Sequence, residues 1–294
     1  MILMKSSADH QWPWADLGAD AEAVFEKTYP SLHKHFKRYE AELKNREDQG
    51  RHWWELRPSQ NYVHFEGSYI AYQDIAYHSA FAVAANTLPE MTAFCLPAAD
   101  DTFLLAVLNS PVMWYLLSRI TIHGKDEALR LKTDKILTIP IPQPSKATRS
   151  AIGGLTPRLR QLALKRLTAN RMVSDWLSHT FDLPRDDFHL VDFSTLAVDA
   201  FVATVIEALP KKRKLTAAEL GELKREHAST VAPALKERAE AIVLENKLSD
   251  LVNSAYGLTG EDVELMWKTA PPRMPLTASG LASVGSYASE ENDE

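Results

Sequence analysis

Asp100-Asp101-Thr102-Phe103-Leu104-Leu105-Ala106-Val107-Leu108-Asn109-Ser110-Pro111-Val112-Met113-Trp114-Tyr115-Leu116-Leu117 decides the fold class. Two carboxylates and a threonine suit the positive end of a helix macrodipole. The residues from Phe103 to Leu117 then leave almost no polar face, so the spacing predicts one long helix buried on most sides. Upstream, Tyr69-Ile70-Ala71-Tyr72, Phe81-Ala82-Val83-Ala84 and Met91-Thr92-Ala93-Phe94-Cys95-Leu96 are short apolar runs bounded by Gly67, Asn86, Pro89 and Pro97. They predict a small antiparallel sheet for the helix to pack on. The expected class is α+β: a small, mostly antiparallel sheet on a buried helix, followed by a helical C-terminal region.

Outward from that core, residues 1–50 read as a helical lead-in. Leu32, Phe36, Tyr39 and Leu43 fall at helical spacing, and Gly50 is expected to cap the end left-handed. Residues 51–145 form the expected core. Residues 146–270 are helical, in stretches from about Lys146 to Leu177, Ser194 to Leu209, Ala217 to Glu245 and Glu261 to Thr269. Asp192-Phe193-Ser194 marks one start, and Thr216 with Glu219 makes a capping box at another. Gly153-Gly154 reads as a helix interruption or linker, Lys211 to Lys214 as a basic linker, and 271–294 as a disordered acidic tail.

The chain has 294 residues, 45% of them hydrophobic and 24% charged, as in globular proteins with a substantial core. Its one cysteine, Cys95, excludes an internal disulfide and a cysteine metal cluster and fits a reducing cytoplasm. Met1-Ile2-Leu3-Met4 is too short for a signal core. The run from Phe103 to Leu117 is broken by Asn109-Ser110-Pro111 and falls short of the roughly 20 residues that span a bilayer, so no membrane partner is expected. The net charge of −6 lowers the prior for nucleic acid. It is unevenly spread, however: 149–214 carries eleven Lys/Arg against seven Asp/Glu, and 215–294 seven against fourteen. Local field, not total charge, governs phosphate binding.

Enzyme chemistry finds little support. No glycine-rich turn follows a strand, as a nucleotide or S-adenosylmethionine site needs. The Pro-Pro of Ala270-Pro271-Pro272-Arg273 lacks the polar and aromatic neighbours that hold a flipped adenine. Glu42-Leu43-Lys44 reads as a solvated helix face, and His33 and His35 lie on different faces of a helix, unsuited to sharing a metal.

Four groups remain as binding candidates. Trp53-Trp54 with Arg57 either stack on bases or pack in a core, the commoner fate of tryptophan beside a sheet. Lys125, Arg130, Lys132 and Lys135 either clamp phosphates or form a solvated loop. Tyr69, Tyr72 and Tyr77 fit cross-strand packing as well as base contacts. The basic linker fits solvation better than binding.

Taken in order, several motifs resemble one family. Tyr29-Pro30 opens a helix that ends at Arg46-Glu47-Asp48. Trp53-Trp54-Glu55-Leu56-Arg57, Asp74-Ile75-Ala76, Leu104-Leu105 to Leu108-Asn109-Ser110 with Trp114-Tyr115, Arg130-Leu131 and Ile139-Pro140-Ile141-Pro142 follow. This order is similar to the Taq I-like specificity domain, the target-recognition domain of adenine-specific DNA methyltransferases in type IIG restriction–modification and phage-defence systems. Ala255-Tyr256-Gly257-Leu258-Thr259-Gly260-Glu261-Asp262 resembles the helical ending of the same enzymes. The likeness runs from about Glu22 to Lys268. Each motif is weak alone; in this order they are specific.

The resemblance implies a module that docks on duplex DNA and reads base edges. Trp54, Arg57, Lys125, Arg130, Lys132 and Lys135 become candidate DNA contacts, and the helices after Pro144 a docking clamp. A separate methyltransferase (or methyltransferase-nuclease) chain is the implied partner, with S-adenosylmethionine expected there and no cofactor in this chain. An adenine-N6 methyltransferase family is implied, but not activity of this chain alone. The alternative is an interaction scaffold that has lost DNA binding. Two departures stand out: the family's glycine-rich loop is reduced to His123-Gly124-Lys125-Asp126-Glu127-Ala128, and the aromatic expected after Arg130-Leu131 is missing.

Overall fold

The computed structural model describes residues 2–59, 62, 67–89, 92–188, 191–210 and 213–275. Lys211 and Lys212 of the basic linker, Met91 and residues 276–294 of the expected tail lie outside them. Residues 271–275 are not a loose tail: Met274 is buried in the core, and Pro272 O accepts from Trp114 Nε1 at 3.1 Å. The chain is α+β and divides into two compact units, residues up to 68 with 85–88, and 69–84 with 89 onward.

In the first unit the expected lead-in is three short helices, α1 (Ala21–Thr28), α2 (Pro30–Lys37) and α3 (Glu40–Asn45). Pro30 sits in the first turn of α2, where its missing N–H costs nothing, and Tyr29 before it leaves helical geometry. Phe25 packs against Trp54 with parallel rings 5.0 Å apart, and Trp14, Trp53 and Met4 complete the core. Glu55 is fully buried. Its carboxylate accepts from Ser7 N (2.9 Å), Ser7 Oγ, Trp14 Nε1 (2.8 Å) and His52 N (3.2 Å). Gly50 is no left-handed cap, since its φ is not positive. A Cβ there would stand 2.5 Å from Glu55 Cβ and Leu56 O, so glycine admits close approach of two strands of chain instead.

The second unit opens with β1 (Ser68–Gln73), β2 (Ile75–Ala76), β3 (Ala82–Ala85) and β4 (Ala93–Leu96). One sheet has the order β3-β1-β4, with β1 and β4 antiparallel and Tyr72 opposite Phe94. The apolar run that follows is two helices, α4 (Thr102–Leu108) and α5 (Pro111–Ile120), bent by 60°. Pro111 cannot donate within a helix, and Ser110 Oγ caps the new start by accepting from Met113 N. Asp101 caps α4 by accepting from Leu104 N at 2.9 Å. No described single helix is long and apolar enough to cross a membrane; only the bent pair α4–α5 passes on length and composition together, and it is largely core.

A second small sheet joins β2 to β5 (Ile122–His123) and β6 (Leu129–Arg130) in the order β2-β6-β5. The short α6 (Thr133–Ile136) then leads into α7 (Lys146–Phe181), an unbroken helix. Gly153-Gly154 therefore lies inside α7 rather than interrupting it. A Cβ on Gly153 would meet Thr102 Oγ1 at 2.7 Å, so glycine lets α4 approach, and Thr156 Oγ1 donates to Thr102 O at 2.9 Å there. Beyond it come α8 (Val198–Ala208), α9 (Ala217–Glu226), a π turn at His227–Val231, α10 (Ala232–Ala255) and α11 (Gly260–Lys268). The Thr216–Glu219 capping box forms as its spacing predicts.

One core gathers Ile70 and Tyr72 of β1, Met113, Trp114 and Leu117 of α5, Leu129 of β6, Ile152 of α7 and Val252 of α10. The expected core and the C-terminal helices thus share one interior. A second cluster lies around Leu177, Phe181, Phe201, Val205 and Leu223.

Candidate nucleic-acid interface

Two motif segments far apart in sequence meet as neighbouring strands. In β2·β6, Ile75 stands opposite Arg130 and Ala76 opposite Leu129; in β5·β6, Ile122 stands opposite Arg130 and His123 opposite Leu129. Residues directly opposite share a face. Ala76 and Leu129 turn into the core, while Ile75 (45% exposed) and Ile122 (68%) flank Arg130 on the outer face.

Asp74 precedes this ribbon and organises its cations. Its backbone carbonyl accepts from Leu131 N at 2.7 Å. Its carboxylate accepts from Arg130 Nε (3.3 Å) and Nη2 (2.8 Å) and from Lys132 Nζ (2.8 Å). Burial pushes the Asp74 carboxyl up, but the hydrogen bonds from Lys132 and Arg130 outweigh it and hold the group below the usual carboxylate range. Arg130 is gripped side-on, and its Nη1 makes no hydrogen bond among the described residues. The Lys132 ammonium lies 5.8 Å from the centre of the Phe94 ring.

The loop before β6 is built without its expected glycines. Asp126 and Glu127 adopt left-handed backbone, φ 55° and 57°. The loop is closed by Gly124 N donating to Ala128 O at 2.6 Å. His123 Nδ1 lies 2.9 Å from Glu127 Oε2 and its Nε2 2.7 Å from Ser118 O. The Ser118 carbonyl, and then Glu127, raise the imidazole pKa above its ordinary value. Arg273 donates to the Asp126 carbonyl and lays its guanidinium 4.8 Å over the Tyr77 ring.

Of the sequence candidates, Lys125, Arg130, Lys132 and Lys135 belong to this segment. Lys125 is exposed, with no ion-pair partner among the described residues, and Lys135 lies 3.9 Å from Asp134. Trp54 and Arg57 belong to the other unit. Trp54 is 3% exposed, held between Phe25 and His52, so its ring is core and offers no face to a base. Arg57 is exposed and lies 3.4 Å from Asp48. Tyr69 and Tyr72 are also core, while Tyr77 is exposed under Arg273. Sequence reading passed over Asp74, Ile75 and Ile122 as contributors. Asp74 stood inside a quoted motif, but nothing local linked it to Arg130 and Lys132.

Among the described residues, no three His, Cys, Asp or Glu side chains are grouped to hold a metal. Of the glycine pair that came nearest to a cofactor turn, Gly153 is packed against Thr102 and Gly154 is not, and both lie inside α7 rather than in a turn after a strand.

Residues 145–252, under half of the chain, match the model of a domain family of unknown function, DUF8810. The match spans α7 to most of α10 and lies outside the β2-β6-β5 ribbon. No curated protein matches the chain.

Proposed function

We propose that this chain is the DNA target-recognition module of an adenine-specific DNA methyltransferase system, of the restriction–modification or phage-defence kind. It would read duplex DNA for an S-adenosylmethionine-dependent methyltransferase domain that this sequence does not contain. The observation that carries the reading is the Asp74 clamp. Ile75-Ala76 and Leu129-Arg130 pair as strands, and the carboxylate of Asp74 fixes an arginine and a lysine at the surface. Base readout needs long cationic side chains whose entropy is already spent, and Asp74 supplies that.

A second reading has its own observation. Asp48 answers Arg57, Asp74 answers Arg130 and Lys132, and Asp134 lies near Lys135. That internal neutralisation suits an interaction scaffold derived from such a module, which no longer attracts phosphate.

Binding to random-sequence duplex DNA across a salt series separates the two. Each phosphate neutralised contributes a slope of about −0.9 in log K against log salt. The wild type is expected to bind at low salt with a steep slope, and the Arg57/Arg130/Lys132→Ala variant with a slope shallower by up to about 3. Absence of binding at low salt would overturn recognition by this chain itself and favour the scaffold.

A further inference from the structure

Resting on the recognition reading above, we propose that the β2-β6-β5 ribbon enters the major groove with its Ile75–Arg130–Ile122 row foremost. Arg130 reads a guanine, and the two isoleucines contact the methyl groups of flanking thymines.

Three observations support this. First, Asp74 binds Arg130 through Nε and Nη2, the side edge of the guanidinium. Left over are Nη1 and the second Nη2 hydrogen, the end-on pair that donates together to guanine O6 and N7. Second, Ile75 and Ile122 stand opposite Arg130 on the two neighbouring strands. Strands lie about 4.8 Å apart, against a base-pair rise of about 3.4 Å, so each isoleucine falls one to two steps from the arginine. Their exposure, 45% and 68%, leaves apolar surface in water that a thymine methyl would cover. Third, Arg130 and Lys132 share the single charge of Asp74, which leaves this group of three side chains, beside the outer row, at +1, while the acids Asp126 and Glu127 stand in the turn between β5 and β6. That charge favours a nucleic acid over an acid-poor protein groove as the occupant.

The experiment begins with selection of duplexes from a randomised library by the full chain. In an enriched site, guanines are replaced singly by 7-deazaguanine, which lacks N7, and thymines by uracil, which lacks the methyl. The expected result is one guanine whose replacement weakens wild-type binding by about 5- to 10-fold and leaves Arg130→Ala unaffected. One or two flanking thymines should cost about 2- to 4-fold each when demethylated, and nothing in an Ile75→Ala/Ile122→Ala variant.

An enriched site indifferent to both analogues, or equal penalties in wild type and variants, overturns the ribbon as reader and leaves the recognition reading standing. Salt-dependent binding with no enriched sequence overturns the ribbon as reader and reduces the recognition reading to sequence-independent phosphate binding. No binding at low salt overturns the recognition reading, and this inference with it. Should Arg130→Ala fail to fold, the analogue series on the wild type and on Ile122→Ser, an exposed position, still decides.

Discussion

Asp74 is the residue on which the candidate interface turns, because it both orders and neutralises. Replacing it with asparagine keeps an acceptor of the same size but removes the charge that Arg130 and Lys132 share. The surface gains one net positive charge while Arg130 loses its charge-assisted grip. Asp74→Asn is therefore expected to bind random duplex more tightly at low salt, with a slope steeper by up to about 1. Its preference for a selected site should fall; unchanged preference would show that the clamp plays no part in reading. His123 gives a separate, pH-dependent prediction. Its pKa is raised in the folded loop, so its contribution is fully present below the unfolded value near 6.5 and is lost as pH rises through the folded one. Amide exchange at residues 124–128, corrected for its intrinsic pH dependence, is expected to show more protection at pH 6 than at pH 8.5. Equal protection would mean that the left-handed turn holds without the Glu127–His123–Ser118 link.

At the scale of elements, two adjacent glycines in α7 have opposite roles. Gly153 faces Thr102 with no room for a Cβ, whereas nothing lies within 4 Å of a Cβ on Gly154. Gly153→Ala must push α4 away and is expected to destabilise by about 1–3 kcal/mol. Gly154→Ala gains helix propensity and is expected to stabilise by roughly 0.5–1 kcal/mol. Thermal unfolding of the two variants checks the signs; equal shifts would sink the close-approach account. The same pair shows what the sequence made legible. Features closed within one turn could be read, such as the Asp101 and Thr216–Glu219 caps, the three apolar strand runs and the starts near Lys146 and Ala217. Features set by a distant neighbour could not: Gly50 and Gly153 serve contacts with Glu55 and Thr102, and Trp54 needed Phe25 to reveal itself as core. The α4–α5 break lies between these cases. Asn109-Ser110-Pro111 announced it locally by breaking the apolar run, but the near absence of a polar face on either side favoured one long helix. In the candidate site, Arg130 and Lys132 were visible as cations. Asp74 as their partner, and the Ile75–Arg130–Ile122 row, exist only through strand pairing across some fifty residues of chain.

At the scale of the larger unit, stability is distributed over two apolar clusters joined by a helical pair. Ile152 of α7 and Leu248 and Val252 of α10 belong to the cluster beneath the sheets; Val173, Leu177 and Phe181 of α7 belong to the other, with α8 and α9. Between them, residues 163–168 of α7 are exposed, and the helices are tied by Arg158–Glu240 and Lys165–Glu237. Such exposed ion pairs contribute about 0–1 kcal/mol each, little against the interior of either cluster. The two clusters are therefore expected to open as separate cooperative units. Phe201→Ala removes a fully buried ring from the second cluster, a change worth about 3–5 kcal/mol there. Native-state hydrogen exchange should report that loss in the amides of α8 and α9, with β1, β4 and α5 unchanged. DNA binding through the ribbon, which depends on the first cluster, should persist in the same variant. A uniform drop in protection would instead make the unit a single cooperative body. The helices matching the DUF8810 family would then be inseparable from the ribbon's own scaffold, and a substitution 70 residues beyond the ribbon in sequence, on the order of a whole domain's length away, would weaken recognition as surely as one within it.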